Sequence, residues 1–417
     1  MSPALLLAPT REAALARIAA VRPDAYARSR NALDGAVSGL SPYITHGLVG
    51  LPEVLAGVAA RHRLQPQHRF VFELGWREYF RHVWAHRGDA ILQSLHAGVR
   101  PDSAYARELP ADIRQARTGL PVIDQAVRTL YATGHLHNHA RLWLASYVVH
   151  LRHVHWRAGA DWLLGHLLDG DLASNHLSWQ WVAGTASHKP YLFNADNVAR
   201  HAPAAWHCPG SAIDTGYDVL DAVARGAWPL PGGAGGDGVD EPARTPCPPA
   251  ASPPRAADVA DRDVWLVHPW ALGPPPADLP ADCLLLGWWP LDFHAAWPWS
   301  AARWAFVGAR MAALAPQSLQ GRRDELARAV AGARSVQTWA DPHVSALLPP
   351  AVTQRPAPRL FAEVDAPCPS FSGWWQRCTR GLTRLTELPG LAALAATASA
   401  GPRFDVGTDR AGPGWSG

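Results

Sequence analysis

Apolar side chains recur at helical spacing through the first half of the chain. Ile123, Val127 and Leu130 follow one another at steps of four and three residues, which places them on one face of a helix. Residues 135–154 repeat this pattern. No alternation of apolar and polar positions, which is typical of a half-buried strand, interrupts residues 23–205. This part of the chain is therefore predicted to be all helical.

The pattern changes after residues 226–258, in which Gly, Pro and Ala predominate. This composition is typical of a linker, because it neither sustains a helix nor buries much apolar surface. Beyond it, short apolar runs alternate with runs of helical period. The predicted strands are 264–268, 283–289, 335–341 and 358–364, and the predicted helices are 302–314 and 322–333. This alternation predicts a small α/β domain with a mostly parallel sheet.

Together these patterns predict a mainly α fold in four parts. They are a helical domain at 1–225, the linker at 226–258, a small α/β domain at 259–390 and a flexible tail at 391–417. Neither the glycine-rich fingerprint of dinucleotide-binding folds nor a P-loop occurs in the sequence.

The cysteines and the hydropathy of the chain argue against several classes of protein. The five cysteines form no CxxC pair, which argues against a disulfide framework and against a cysteine-ligated iron-sulfur cluster. The first residues lack the basic start of a signal peptide, and no apolar stretch reaches the roughly 18 residues of a membrane span. We therefore expect a cytoplasmic monomer without a membrane partner.

Charge and tryptophan content suggest the kind of partner. Residues 1–210 carry 21 Lys and Arg against 15 Asp and Glu, whereas the remaining residues carry 17 against 20. The basic first half suits a phosphate-backbone partner, and it equally suits a solvated basic surface. The 20 tryptophans indicate much aromatic packing or a role in stacking and electron transfer.

Four segments of the helical region carry polar residues that amphipathic patterning does not require. The first, residues 34–47, combines small and hydroxyl residues with a proline. Its backbone N–H groups and the hydroxyls of Ser38 and Ser41 are suited to holding a diphosphate. An ordinary capped loop is the alternative.

The second and third segments are predicted to be helical. Glu73, Trp76 and Arg77 lie within about one turn, so that a carboxylate, an indole and a guanidinium share a face. A surface salt bridge beside a core tryptophan is the alternative. Residues 134–143 contain three histidines at a spacing of two, which splays their rings on a helix. Because no carboxylate or cysteine at ligand spacing accompanies them, we predict no metal site.

The fourth segment, residues 167–181, is the most specific. Asp169 and Asp171 flank a glycine, and Asn175 follows them. We expect Asp169 to pair with Arg141 and so to join two segments, while the Asn175 amide offers both a donor and an acceptor. An acidic turn that caps a helix is the alternative.

In their order and approximate spacing, these segments resemble the FAD-binding domain of DNA photolyases and cryptochromes. The resemblance rests on SGLSPY, ELGWREYFRH, TGLPVIDQAVRTLYATGHLHNHAR, HWRAGADWLLGHLLDGDLASN and WQWVAGT, and it covers about residues 23–205. Among these proteins the cyclobutane pyrimidine dimer photolyases are the most similar. The family normally carries an antenna-binding α/β domain before the helical one, and here only about 20 residues precede the matched region. We therefore expect the α/β region to be a displaced counterpart, whose antenna chromophore is unknown.

The resemblance implies FAD as the cofactor. Tyr26 and the loop 37–41 match groups that hold the diphosphate, residues 169–171 match the stretch against the flavin ring and ribose, and Asn175 matches the residue that faces flavin N5. The implied cofactor-binding residues are Tyr26, Val37, Ser38, Gly39, Leu40, Ser41, Arg77, Arg141, Asp169, Gly170, Asp171 and Asn175.

The resemblance also implies that DNA containing pyrimidine dimers is the partner. The implied dimer-binding residues are Glu73, Trp76, Asn138, Leu142 and Trp181. Glu73 and Asn138 are also the implied catalytic groups at the lesion. Trp156 and Trp179 match the two inner members of the family's tryptophan electron-transfer wire, and its outer member has no match in this sequence.

The implied activity is that of a deoxyribodipyrimidine photolyase, a lyase that repairs cyclobutane dimers by electron transfer from excited, reduced FAD. A cryptochrome-like photoreceptor is a second hypothesis, in which blue light changes the redox state of FAD and a protein partner receives the signal. A third hypothesis is a helical scaffold that has lost flavin binding.

Overall fold

The computed structural model describes residues 7–228, 230, 236–248 and 251–400, with side chains described up to residue 396. Helices dominate up to residue 224, as the apolar periodicity predicts. They are α1 (Arg11–Ala20), α2 (Pro23–Ser29), α3 (Ser41–Thr45), α4 (Leu51–Ala59), α5 (Arg69–Arg87), α6 (Ala111–Arg114), α7 (Pro121–Thr133), α8 (Asn138–Ser146), α9 (Trp156–His166), α10 (Leu172–Ala183), α11 (Ala195–His201) and α12 (Tyr217–Ala224).

Local sequence explains where these helices begin and end. Helix α7 starts with Pro121, whose missing N–H is not needed in a first turn, and it stops at Gly134, which has a φ of 62°. Helix α8 continues directly into a π-helical turn, Tyr147–Leu151. The 3₁₀ turns of the described chain are Gly88–Leu92, Asp102–Ala104, Ala204–Trp206, Ser345–Leu347 and Leu385–Glu387.

The second region contains a five-stranded sheet in which every strand pair is parallel. The strands of the described chain are β1 (Arg244–Thr245), β2 (Asp263–Val267), β3 (Leu284–Pro290), β4 (Trp299–Ser300), β5 (Gln317–Gly321), β6 (Ser335–Trp339) and β7 (Val352–Arg355). The sheet order is β5-β3-β2-β6-β7, while β1 and β4 form a separate antiparallel pair. The helices are α13 (Ala256–Val259), α14 (Leu291–Ala296), α15 (Ala301–Leu314), α16 (Arg323–Ala329), α17 (Phe371–Thr379) and α18 (Pro389–Ala400). The predicted parallel α/β architecture is confirmed.

One predicted strand, residues 358–364, is wrong. The backbone there forms no strand, and the last strand of the sheet is β7 instead. The N–H groups of Leu360 and Phe361 donate to the Glu78 carboxylate of α5, at 2.6 and 3.1 Å. Because an α5 side chain takes these donors, the apolar residues pack against helices without joining a ladder.

The linker and tail also contain more regular structure than their composition predicts. Within 226–258, β1 pairs with β4 and α13 forms one turn with a capping box between Arg255 and Asp258. Residues 391–400 belong to α18, whereas the rest of the predicted tail lies outside the described residues. The exact domain boundaries stay a prediction.

Two clusters of buried apolar side chains form the core. One includes residues from α1, α4 and α5 together with the sheet and its helices. The other consists of residues between 109 and 223. The first helices therefore pack with the sheet region, although more than a hundred residues separate them in the chain. Among the described residues, no helix is long and apolar enough to cross a membrane.

Candidate functional site

A cavity of about 200 Å³ lies among α5, α8, α9 and α10. Ten of the residues implied by the family resemblance line it: Glu73, Trp76, Arg77, Asn138, Arg141, Leu142, Asp169, Asp171, Asn175 and Trp179. The other lining residues are Phe80, Ala145, Leu163, Leu167, Ser174, Ser178 and Val182. Residues implied for the cofactor and residues implied for the lesion thus share one cavity.

Arg141 and Asp169 form the ion pair that the sequence predicts. Arg141 Nη2 donates to both carboxylate oxygens of Asp169 at 2.9 Å, and Arg141 Nε donates to the carbonyl of Leu136 at 2.8 Å. Burial raises the pKa of Asp169, but the charges of Arg141 and His135 together with hydrogen bonding outweigh burial and hold that pKa below its ordinary value. The pair joins α8 to the turn before α10 and keeps a carboxylate charged at the cavity.

Helix α3 contacts the same turn. Thr45 Oγ1 donates to the Asp169 carbonyl at 3.3 Å, and the Ser41 hydroxyl, on the first residue of α3, helps to lower the pKa of the Asp169 carboxyl. Arg77 Nη1 donates to Thr45 Oγ1 at 3.0 Å, and burial lowers the pKa of Arg77. The loop predicted to hold a diphosphate therefore ends directly beside Asp169.

All of residues 37–41 lie outside the cavity lining. Val37 is 47% exposed, and Ser38 Oγ accepts the Leu40 N–H at 3.4 Å. Gly39 has a φ of 62°, and a Cβ there would lie 2.6 Å from Arg17 Nη1, so that only glycine fits without a shift. Tyr26 packs edge to face on a phenylalanine of α5 at 5.5 Å, and burial raises its pKa.

Asp171 pairs with an arginine that the sequence analysis did not single out. Arg81 Nη2 donates to Asp171 Oδ2 at 3.0 Å, and Arg81 Nη1 donates to Asp341 Oδ2 at 2.6 Å. Asp171 Oδ1 accepts the Ser174 N–H at 2.9 Å, so Asp171 is also the N-cap of α10. Arg81 follows Arg77 by four residues in α5, and this helical spacing is the signal that points to it.

The backbone of the turn is held from outside the cavity. Arg303 Nη2 donates to the Gly170 carbonyl at 2.6 Å, and Arg303 Nη1 donates to the Leu164 carbonyl at 3.0 Å. A Cβ on Gly170 would lie 2.5 Å from Arg303 Nη1, which explains the glycine between the two aspartates. His46 Nε2 lies 2.9 Å from the Leu168 carbonyl. Burial lowers the pKa of Arg303 to about 9 and that of His46 to about 3.

Two polar side chains of α10 give the cavity further hydrogen-bonding groups. Asn175 Nδ2 donates to the Ala160 carbonyl at 2.8 Å, which orients the amide. Ser174 Oγ is buried and, within the described part of the chain, has no hydrogen-bond partner. An unpaired buried hydroxyl at a cavity wall is costly unless a ligand supplies a partner.

The implied lesion side of the cavity is built on α5. The Glu73 carboxylate lies 2.7 Å from Arg69 Nη2 and 3.4 Å from Arg30 Nη2. Trp76 is stacked on Phe371 of α17, with ring centroids 4.1 Å apart and planes 9° from parallel. The ring of Trp76 is therefore held in one orientation by a residue near the other end of the chain.

Two implied tryptophans do not line the cavity. Trp156 is buried, and its Nε1 donates to Ser94 Oγ at 3.0 Å. Trp181 is 40% exposed and packs 5.8 Å from Tyr191. Their implied roles in electron transfer and dimer binding stay predictions.

A larger cavity of about 780 Å³ lies between α4 and α5 on one side and the carboxyl ends of β2, β6 and β7 on the other. Its walls include Arg77, Arg81, Trp270, Asp341 and Arg359. This position lies at the point where the strand order reverses, which is where open parallel sheets characteristically bind ligands. Arg77 lines both cavities and so separates them.

The clustered histidines of residues 134–143 are used in packing and capping. His137 Nδ1 accepts the His139 N–H at 3.1 Å as the N-cap of α8. His139 Nδ1 lies 2.7 Å from the Asn31 carbonyl. Among the described residues there is no group of three or more His, Cys, Asp and Glu side chains arranged for a shared metal ion.

Comparison with known proteins identifies the helical region. Residues 70–205 match the family model of the FAD binding domain of DNA photolyase. The helical part of this chain is therefore similar to that domain. A deoxyribodipyrimidine photo-lyase of Streptomyces griseus is 38% identical over 152 residues, which are 36% of this chain and 33% of that protein. A cryptochrome DASH of Idiomarina loihiensis is 28% identical over 216 residues, 49% of this chain and 48% of that protein.

Solved structures of the same two groups of proteins are also similar. A cryptochrome of Synechocystis is 27% identical with a TM-score of 0.41, covering 46% of this chain and 43% of that one. A class III photolyase of Agrobacterium tumefaciens is 24% identical with a TM-score of 0.40, covering 52% and 54%. This chain thus spans about a third to a half of the curated relatives and about half of the solved ones.

Proposed function

We propose that this protein binds FAD in the 200 Å³ cavity and repairs cyclobutane pyrimidine dimers in DNA under light. The observation that carries this proposal is that a single cavity has both sets of groups on its walls. Arg141, Asp169 and Asn175 serve the cofactor, whereas Glu73 and Trp76 serve the lesion. Electron transfer between a flavin and a dimer needs the two to be adjacent, and a shared cavity provides that adjacency.

The residues fit the flavin ring better than the entire cofactor. Sites for drug-sized ligands usually occupy about 300–1,000 Å³, so a cavity of about 200 Å³ suits a flat ring system and not a whole dinucleotide. The unpaired hydroxyl of Ser174 and the oriented amide of Asn175 offer hydrogen bonds to the polar edge of such a ring. In this proposal the diphosphate extends toward the loop that ends at Ser41, beside Asp169.

Bound FAD, in reduced form, would supply light-driven transfer of one electron to the dimer and its return, a chemistry that opens the two bonds between the pyrimidines without net redox change. The side chains of this chain bind and orient. Glu73 hydrogen-bonds a base of the dimer, and Asn138, at the exposed start of α8, contacts it from the other wall. Trp76, backed by Phe371, presents a flat apolar surface to the extruded bases. Closing the cavity with bases excludes water from the site.

The deciding experiment combines a spectrum with a repair assay. Purified protein is expected to carry flavin absorption, and under blue light with a reductant it should restore intact thymines in a single-stranded oligonucleotide that contains a thymine dimer. A protein without flavin would refute the cofactor assignment. Flavin that is photoreduced while the dimer persists would refute repair and favour the photoreceptor.

One feature of the structure favours that second function. One face of Trp76 is covered by Phe371, and α17 is part of the region after the linker. A light-dependent change at the cavity can therefore reach the C-terminal region through this aromatic contact. A protein partner bound to that region can then receive the signal. Repair by the wild-type protein would set this alternative aside.

A further inference from the structure

We propose that Asp341 and His343, on the loop after β6, are positioning residues for the flavin site in the helical region. They act through Arg81 and through the first N–H of α10, and they fix the turn that carries both site aspartates. This inference rests on the proposed function for its meaning, but its geometry stands independently of FAD.

The first contact is an ion network of one arginine and two carboxylates. Arg81 bridges Asp171 of the site and Asp341 of the loop, with donor–acceptor distances of 3.0 and 2.6 Å. The side chains of the two aspartates are 0% and 7% exposed. At such depth a carboxylate without its cation is strongly unfavourable, so the three groups hold one another in place.

The second contact is a histidine whose tautomer is set by its neighbours. The Leu172 N–H donates to His343 Nε2 at 3.2 Å, so Nε2 carries no proton. The proton is therefore on Nδ1, which donates to Asp341 Oδ1 at 2.6 Å. The imidazole is stacked on Trp270, with centroids 4.4 Å apart and planes 7° from parallel, which fixes the plane of the ring.

Through these contacts, residues of the sheet region fix the position at which α10 begins. Asp171 caps α10, and Leu172 is the first residue of that helix. Asn175, which serves the flavin edge in the proposed function, lies one turn further on. Without the Asp341 carboxylate nothing fixes the proton on Nδ1, and the neutral tautomer that carries its proton on Nε2 leaves the Leu172 N–H without its acceptor. The start of α10 should loosen as a result.

The test compares Asp341→Asn with Asp112→Asn. Asp112 forms an equally short ion pair, 2.6 Å from Arg152, far from the cavity in the helical region. Hydrogen exchange of the amides at 172–175 in the FAD-free full-length protein is expected to be about tenfold faster in Asp341→Asn and unchanged in Asp112→Asn. Equal exchange in both variants and wild type would overturn the proposal. This readout needs no cofactor, so it is informative even if the protein fails to bind FAD.

Two measurements on FAD-loaded protein separate positioning from general stability. The dissociation constant for FAD should rise about tenfold in Asp341→Asn. The midpoint potential of the bound flavin should become more positive, because a negative charge near the reduced ring is removed, whereas Asp112→Asn should leave it unchanged. Matched potentials in the two variants would refute a positioning role.

A second variant covers the case in which Asp341→Asn does not fold. His343→Phe keeps a ring stacked on Trp270 and removes both imidazole contacts, the acceptor for the Leu172 N–H and the donor to Asp341. Faster exchange at Leu172 is expected, and wild-type exchange in this variant would overturn the proposal as well. If the wild-type protein takes up no FAD but both variants speed exchange, the proposed function fails and the positioning inference survives.

Discussion

The two sides of the turn that carries the site aspartates differ in what holds them. On the cavity side, Asp169 is paired with Arg141, which lies in the same helical region and 28 residues away. On the other side, Arg303 holds the Gly170 carbonyl from 133 residues away, and Arg81, which is 90 residues from Asp171 and 260 from Asp341, bridges those two carboxylates. The ion pair that faces the cavity is therefore formed within the helical region. The rest of the turn is held by contacts that include residues of the sheet region.

This difference suggests a separate role for each side of the turn. In the proposed function the cavity side sets which ligand binds, since its side chains are those assigned to the cofactor and the lesion. The opposite side sets how rigidly those groups are presented, because it fixes backbone carbonyls and a helix start. Substitutions on the two sides should consequently have different signatures in binding and in stability.

The largest effect is expected on the cavity side from Asp169→Ala. The substitution leaves the Arg141 guanidinium without its carboxylate, and breaking a buried pair in this way costs about 3–5 kcal/mol. FAD should be nearly absent from the purified protein by absorbance at the flavin band. Full FAD stoichiometry in a folded variant would contradict the cofactor assignment.

A substitution on the lesion side should spare the cofactor and lower repair. Glu73→Ala removes a hydrogen bond to the dimer, and a hydrogen bond to a charged group contributes about 1.5–3 kcal/mol, so repair should fall about 10- to 100-fold. FAD content and melting temperature should stay near wild type. The check is dimer repair per photon at matched FAD content, and a variant that repairs as well as wild type would remove Glu73 from the active site.

On the opposite side of the turn, Arg303→Lys tests the hydrogen bonds that hold the backbone carbonyls. A lysine lacks the rigid planar fork that places one nitrogen on each of the Leu164 and Gly170 carbonyls, so we expect about 2 kcal/mol lower stability and a weaker hold on FAD. Arg310→Lys is the matched control, because Arg310 lies on the same helix and its Nε bonds one carbonyl, that of Leu272. Equal urea midpoints for the two variants would show that the two-carbonyl contact is dispensable.

A pH-dependent effect is expected at the contact between α5 and residues 360–361. Burial raises the pKa of Glu78 to about 7, although the hydrogen bonds that Glu78 accepts from two backbone N–H groups lower that pKa. Because the folded protein then binds the proton more tightly than the unfolded chain, this group's contribution to stability is complete below about pH 4.5 and declines as pH rises to about 7, by at most about 1.4 kcal/mol per pH unit. Urea titrations between pH 5 and 7 should show this slope in wild type and a shallower one in Glu78→Gln. Identical slopes would contradict the role of Glu78.

Much of the site follows from local sequence. The four polar segments are identified by residues that lie within one or two helical turns of each other. The sequence also predicts the Arg141–Asp169 ion pair, which is confirmed. The parallel sheet was likewise indicated by short apolar runs alternating with helical ones. These features depend on spacing along one element, and spacing is what a sequence displays directly.

The tertiary structure alone decided the rest. Residues 358–364 have an apolar pattern that suits a strand, yet Glu78 takes their backbone donors. Asp341 is the last residue of a predicted strand and His343 follows it, but nothing in their neighbourhood indicates Arg81 as a partner. The physical reason is that periodicity records which face of an element is buried and not which distant element covers it, so contacts between the two regions become visible only once the chain is folded.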